Sequence, residues 1–201
     1  MIDFLLWRRP RDLGLVIAAI LLAVDVAASP SAAQSLLERL QLCGTCHGED
    51  GNSKMEKTPS LAGQPELFLT NQLILFRERL RKSESMEPFV KGMADADIVA
   101  LAAHYAKLPS QRSGEPSDTG LSKRGAELAK ALHCGSCHLP DFTGREQMPR
   151  LAHQRIDYTI DTLIAYREGK RYGVDTSMNG AMYGLSDTDI RALAHFVTGD
   201  R

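Results

Sequence analysis

The 201-residue chain predicts an all-helical protein built as one plan written twice. Three observations carry that prediction. The pentapeptide Cys43-Gly44-Thr45-Cys46-His47 returns 91 positions later as Cys134-Gly135-Ser136-Cys137-His138. The helical patterns after each copy recur at offsets of 90 to 92, which small loop deletions and insertions reconcile. No segment alternates with the two-residue period of a strand for any length. Each repeat has fewer than 90 residues, so it owns little core and is expected to be completed by an apolar group at its centre.

The N-terminus reads as an export signal. Arg8, Arg9 and Arg11 precede an apolar run from Leu13 to Val24, Asp25 interrupts it, and Ser31-Ala32-Ala33 offers small residues for cleavage. The run is short of the roughly 20 residues a spanning helix needs. Residues 1–33 are therefore expected to be a cleavable signal peptide and the protein periplasmic, with an uncleaved anchor as the alternative. Charge is balanced, 24 basic against 25 acidic side chains, which argues against nucleic-acid binding. All four cysteines fall in the two pentapeptides, so none remains for a disulfide.

The first repeat is expected over residues 34–109. A short helix, Ser35–Leu42, runs into the first pentapeptide. A Gly-, Asn- and Ser-rich loop from Gly48 to Gly63 follows and ends in Pro59-Ser60-Leu61-Ala62-Gly63-Gln64. Pro65 suits a first helical position, and Leu67, Phe68, Leu73, Leu75, Phe76 and Leu80 mark an amphipathic helix to about Arg81. A charged loop carries Met86. The last helix, Asp95–Lys107, aligns Ile98, Leu101, Ala102 and Tyr105 and stops before Pro109.

Residues 110–117 carry no periodicity and read as a linker. The second repeat, 118–201, then follows the same plan. Ser122 caps a helix through Gly125, Leu128 and Leu132 to Cys134. Pro149-Arg150-Leu151-Ala152-His153-Gln154 answers Pro59 to Gln64, and Tyr166-Arg167-Glu168 answers Phe76-Arg77-Glu78. Leu185-Ser186-Asp187-Thr188-Asp189-Ile190 answers Met93 to Ile98, with Ser186 and Asp189 spaced as a capping box.

In an exported chain, C-x-x-C-H reads as a covalent haem attachment site. Cys43 and Cys46, and again Cys134 and Cys137, can each form a thioether to one haem vinyl group, with His47 and His138 as the fifth iron ligands. A dithiol redox motif would want a strand-rich setting, and a zinc site would need the four cysteines together. Two haem c groups are thus the expected cofactors. The sixth ligand decides between catalysis and electron transfer, since methionine closes the site and raises the potential. When the helices starting at Asp95 and Asp187 are aligned, only Met86 and Met178 are methionine in both copies. They lie 39 and 40 positions after their histidines. Met93 and Met182 read as core packing, with Met182 the fallback ligand.

A ligating histidine usually donates its other ring proton to a carbonyl, and Pro59 and Pro149 are the repeated candidates; punctuation of the loop is the other reading of these prolines. Arg77 and Arg167 are either partners of haem carboxylates or solvated helix charges. His104, His133, His153 and His195 have no histidine counterpart in the other repeat and read as surface or packing residues.

Taken with these flanking segments, the chain resembles the dihaem class I cytochromes c of the c-four type, over residues 34 to 199. The resemblance implies an all-α fold of two tandem class I cytochrome c domains, each wrapped around one haem. It also implies His47, Met86 and Pro59, then His138, Met178 and Pro149, as the ligands and their supports. The family's first-helix glycine is Gly125 in the second repeat but Gln34 in the first, and a tyrosine at the helix crossing is replaced by His104 and Phe196. Ala94 stands for the usual capping serine, with Asp95 its stand-in. The implied function is single-electron transfer, with a cytochrome bc complex or periplasmic dehydrogenase as donor and a terminal oxidase as acceptor. Membrane contact would come only through partners or an uncleaved N-terminus. The alternative is the cytochrome subunit of a flavocytochrome sulfide dehydrogenase or alcohol dehydrogenase. A dihaem peroxidase would be a longer chain, and a thiosulfate dehydrogenase would want a further cysteine.

Overall fold

The computed structural model describes residues 32–173 and 175–200, with side chains from Leu36 onward. The expected export segment, residues 1–33, lies outside them apart from Ala32 and Ala33. The described residues form nine helices and no strand: α1 (Ala32–His47), α2 (Glu66–Arg77), α3 (Glu87–Val90), α4 (Asp95–Lys107), α5 (Thr119–Ala131), α6 (Cys134–His138), α7 (Ile156–Arg167), α8 (Ser177–Met182) and α9 (Asp187–Val197). None of these is long and apolar enough to cross a membrane.

The two copies begin differently. Helix α1 passes without a break through its pentapeptide to His47. In the second copy α5 stops at Ala131, His133 takes a left-handed conformation (φ 54°), and α6 restarts at Cys134. The continuous helix expected up to Cys134 is therefore two helices with a hinge between them. The N-cap of α5 is Asp118, whose Oδ1 accepts the Leu121 N–H at 2.8 Å; Ser122 sits inside the first turn.

Helix α2 also ends earlier than its apolar pattern suggests. The chain turns after Glu78, with Arg79 at φ 56°, and Leu80 is left exposed. The second copy turns at the same place after α7, where Gly169 has φ 65°. Helix α4 spans the expected Asp95–Lys107 and buries Ile98, Leu101, Ala102 and Tyr105. At the start of α9 the Ser186–Asp189 capping box is complete. Ala94 gives α4 no side-chain cap, and Asp95 does not replace it: its carboxylate takes the Arg77 guanidinium at 2.6 Å instead.

Two separate apolar clusters result. The first gathers Leu69, Phe76, Val90, Met93, Ile98, Leu101 and Tyr105, and the second Phe142, Leu163, Tyr166, Met182, Ile190, Leu193 and Val197. In the second, α5 crosses α9 so closely that a Cβ on Gly125 would overlap the Ala192 carbonyl and the Phe196 Cβ. Only glycine fits there. Phe196 meets Phe142 edge-on, and His104 meets the buried Tyr105 likewise. The side chain of Gln34, the counterpart of Gly125, is outside those described.

The repeats meet through an exchange that the sequence motif did not disclose. Gln64 donates from Nε2 to the Arg150 carbonyl (2.9 Å) and accepts the Arg150 N–H (3.0 Å). Gln154 does the same to Ser60, at 2.9 and 2.8 Å. Residues 60 and 150, like 64 and 154, are 90 apart, so the contact is isologous, as across a twofold axis. The segment 110–117 is anchored too. Glu115 accepts the N–H groups of Ile156 and Asp157 at 2.7 and 3.1 Å, at the start of α7, and Gln111 N–H donates to Asn52 at 2.8 Å.

Candidate metal centres

Each pentapeptide places its histidine at a helix C-terminus, where the loop that follows must return to meet it. In the first copy the Gly51 carbonyl accepts the N–H groups of both Leu61 and Ala62, at 2.7 and 3.0 Å. In the second the Phe142 carbonyl accepts those of Leu151 and Ala152, at 2.8 and 3.1 Å. Gly51 and Phe142 both have positive φ, 74° and 55°. This closure brings a proline carbonyl over each imidazole. His47 Nδ1 lies 2.8 Å from the Pro59 oxygen, and His138 Nδ1 lies 2.9 Å from the Pro149 oxygen.

A carbonyl only accepts, so Nδ1 carries the proton in both rings and a neutral imidazole keeps its lone pair on Nε2. Both histidines are buried, at 6 % and 5 % exposure, and Nε2 of neither has a hydrogen-bond partner among the described residues. Burial pulls both imidazoles below the ordinary histidine range, the proline carbonyls offsetting part of it. A buried, oriented, neutral imidazole with a free nitrogen lone pair is the donor that a haem iron takes.

Cys43 packs against the first cluster and Cys134 against the second, and burial raises the pKa of both thiols. Cys46 is half-buried and Cys137 exposed. Since the pairs belong to different clusters, the chain does not gather four cysteines around one metal; among the described residues no three His, Cys, Asp or Glu side chains are placed to do so. Met86 packs half-buried against the cluster of Cys43, and Met178 against that of Cys134. Met93 and Met182 are buried members of those clusters, at 5 % and 2 % exposure, and Met55 is exposed. Each half thus offers one cysteine pair, one oriented histidine and one half-buried methionine around an apolar cluster. That donor set suits a covalently attached haem.

Arg77 and Arg167 do different work from the haem pairing that was one reading of them. Arg77 donates to the Met93 carbonyl (2.8 Å) and Asp95, and Arg167 to the Leu185 carbonyl (2.9 Å) and Asp187 (2.7 Å). They clamp α2 and α7 to the starts of α4 and α9, closing the segments that carry Met86 and Met178. Arg81 and Arg171, by contrast, turn inward toward the interface between the repeats. Their shared offset of 90 is the sequence signal for them.

A sequence profile described as cytochrome c matches residues 122–199. Cytochrome c4 of Thiocapsa roseopersicina is 32 % identical over 169 residues, covering 79 % of this chain and 86 % of that protein. The thiosulfate dehydrogenase electron acceptor of Thiomonas intermedia (strain K12) is 30 % identical over 77 % of this chain and 76 % of that one. The crystal structure of reduced recombinant cytochrome c4 from Pseudomonas stutzeri aligns with a TM-score of 0.77 at 31 % identity, covering 84 % of this chain and 98 % of that chain. The chain belongs to the cytochrome c4 family: it is an all-helical, electron-carrying cytochrome of two cytochrome c domains and binds two covalent haem c groups.

Proposed function

We propose that this is an exported, periplasmic carrier in which Cys43 and Cys46 attach one haem and Cys134 and Cys137 the other. His47 with Met86, and His138 with Met178, would hold the two haem irons. Its domains are residues 34–109 and 118–201, joined by 110–117 after removal of residues 1–33. The observation that carries the reading is the buried imidazole bonded to a proline carbonyl in both repeats, at 2.8 and 2.9 Å. In each repeat an in-register methionine packs on the same cluster as the first cysteine.

Bound haem supplies a one-electron iron couple. The chain does the rest. Pro59 and Pro149 fix the tautomer and rotation of the histidines, so that Nε2 is presented as a lone-pair donor. The Arg77 and Arg167 clamps hold the methionine segments closed, and a methionine held against the iron would keep water and small ligands from it. The apolar clusters around each site lower the dielectric and limit solvent access. These features favour outer-sphere transfer over catalysis.

The partners are redox proteins. A cytochrome bc complex or a periplasmic dehydrogenase is the donor and a terminal oxidase the acceptor. Similarity to a thiosulfate dehydrogenase electron acceptor favours a dehydrogenase donor, and with it the second reading, a cytochrome subunit of a dehydrogenase complex. Co-purification with a catalytic subunit at fixed stoichiometry supports that second reading; a free chain in periplasmic extract contradicts it. The ligand assignment is tested by Met86→Ala and Met178→Ala. Each is expected to abolish the ferric iron–methionine charge-transfer band of one haem, and a band left intact overturns the ligand at that site.

A further inference from the structure

The two methionine segments are fastened to their repeats by different means. Asn179, the residue after Met178 in α8, donates from Nδ2 to the carbonyls of Tyr166 (2.7 Å) and Arg171 (2.9 Å). The first carbonyl belongs to the last turn of α7 and the second to the loop that leaves it. One side chain therefore caps α7 and closes the loop into α8. Two carbonyl partners take both hydrogens of the amide, and its Oδ1 is left buried with no donor among the described residues. A buried oxygen without a donor is unfavourable, so the amide is kept there by the bonds its nitrogen makes. Tyr166 in turn buries its ring in the cluster against which Met178 packs.

The first repeat has Glu87 in the place of Asn179, directly after Met86. A carboxylate cannot donate to a carbonyl. Glu87 instead accepts the Ser83 N–H at 3.4 Å and faces the exposed Arg79 at 3.7 Å. Among the described residues, the carbonyl of Phe76, counterpart of Tyr166, accepts backbone N–H groups alone. The Met86 N–H turns back onto the carbonyl (3.1 Å) and Oγ (3.3 Å) of Ser83 in its own loop. An exposed ion pair of that length holds little and is screened by salt. The Arg77 and Arg167 clamps act alike in both repeats, so the difference lies in this one contact.

We propose that Asn179 is the positioning residue of Met178, and that Met86, which has none, is the more readily displaced of the two. Asn179 acts through the backbone, holding α8 against the end of α7 so that the methionine beside it stays in place. The first segment swings out once an exposed ion pair and a local turn give way, and an added ligand competes there first.

The proposal rests on Met86 and Met178 as the iron ligands, so that reading is checked first, on chains shown by pyridine haemochrome to carry two haems. In the ferric protein, Met86→Ala and Met178→Ala are each expected to remove one of two hyperfine-shifted methionine methyl signals from the proton NMR spectrum. A signal that survives its own variant refutes the ligand at that site, and the proposal with it. Imidazole is then titrated into the parent chain, where the Met86 signal is expected to disappear at lower concentration than the Met178 signal. Asn179→Ala and Asn179→Asp each remove two hydrogen bonds of ordinary worth, so each is expected to raise the imidazole affinity of the second site about tenfold. The first site is expected to stay unmoved. The aspartate keeps the shape of the side chain and loses its donors, which separates hydrogen bonding from packing. Loss of the Met178 signal before that of Met86 in the parent chain overturns the proposal. So does a second-site affinity unchanged in Asn179→Asp, or a lowered denaturation midpoint with both affinities unmoved.

Discussion

Arg79 stands at φ 56°, where its repeat counterpart is Gly169 at φ 65°. Left-handed backbone costs an ordinary residue roughly 1–2 kcal/mol, and the Arg79–Glu87 ion pair, 3.7 Å long and exposed, returns little of it. Arg79→Gly is expected to stabilise the protein by about 0.5–1 kcal/mol once the greater freedom of glycine in the unfolded chain is subtracted. A denaturation midpoint that stays put or falls contradicts the assignment of strain. The opposite case is Gly125, where any Cβ meets the Ala192 carbonyl. Gly125→Ala is expected to cost about 1–3 kcal/mol by forcing α5 from α9, read as a lowered midpoint by circular dichroism. Neither value is visible in a residue's name alone. Glycine at 169 hints at the turn, but Arg79 hides it, and the apolar Leu80 beyond it extends the helical pattern falsely.

At the scale of elements, α4 and α9 are the same helix begun in two ways. Ser186 and Asp189 close a reciprocal cap on α9, whereas Ala94 leaves the first N–H groups of α4 without a side-chain acceptor. Ala94→Ser is expected to add about 1 kcal/mol and Ser186→Ala to remove about the same. Equal midpoints for Ala94→Ser and the parent chain would show that water already satisfies the first N–H groups of α4. The starts of α4 and α9, the core faces and the shared register of Met86 and Met178 were legible because each is written in local spacing: 3.6-residue periodicity, capping chemistry, and a register common to two copies. The break between α5 and α6 was not. His133 looks like any helical residue, and the first copy continues through the same point. The clamps of Arg77 and Arg167 were equally silent, since their partners lie 16 to 20 positions downstream and no local pattern records them.

In the whole molecule, the two halves are held by paired glutamines and a carboxylate. Removing the Gln154 side chain leaves the buried Ser60 N–H and carbonyl unsatisfied, so Gln154→Ala is expected to cost about 1–3 kcal/mol. Asp157 bridges the halves as well, accepting the Lys57 N–H at 3.0 Å and the Arg155 guanidinium at 2.6 Å. Burial raises its pKa, but Arg155 and the N–H groups of Lys57 and Tyr158 outweigh this and hold the carboxyl below the usual range. A depressed carboxyl stabilises fully above its unfolded pKa, about 3.9, and the contribution is lost as pH falls below that value through the folded pKa. Asp157→Asn should therefore lower stability at neutral pH and flatten its fall on acidification, measured by denaturant unfolding between pH 7 and pH 2. An unchanged acid slope would place the titrating carboxylates elsewhere.

The repeat made these contacts symmetric, yet only the fold shows which residues face the partner half: Gln64 and Gln154 were plain as a recurring motif and mute as to its use. Closure of both irons by methionine, as proposed, is what separates a carrier from a catalyst. Spectroelectrochemical titration of the two-haem protein under carbon monoxide tests this most directly. The prediction is two one-electron, methionine-type couples with ferrous spectra unchanged by the gas. A haem that binds carbon monoxide at neutral pH would contradict it.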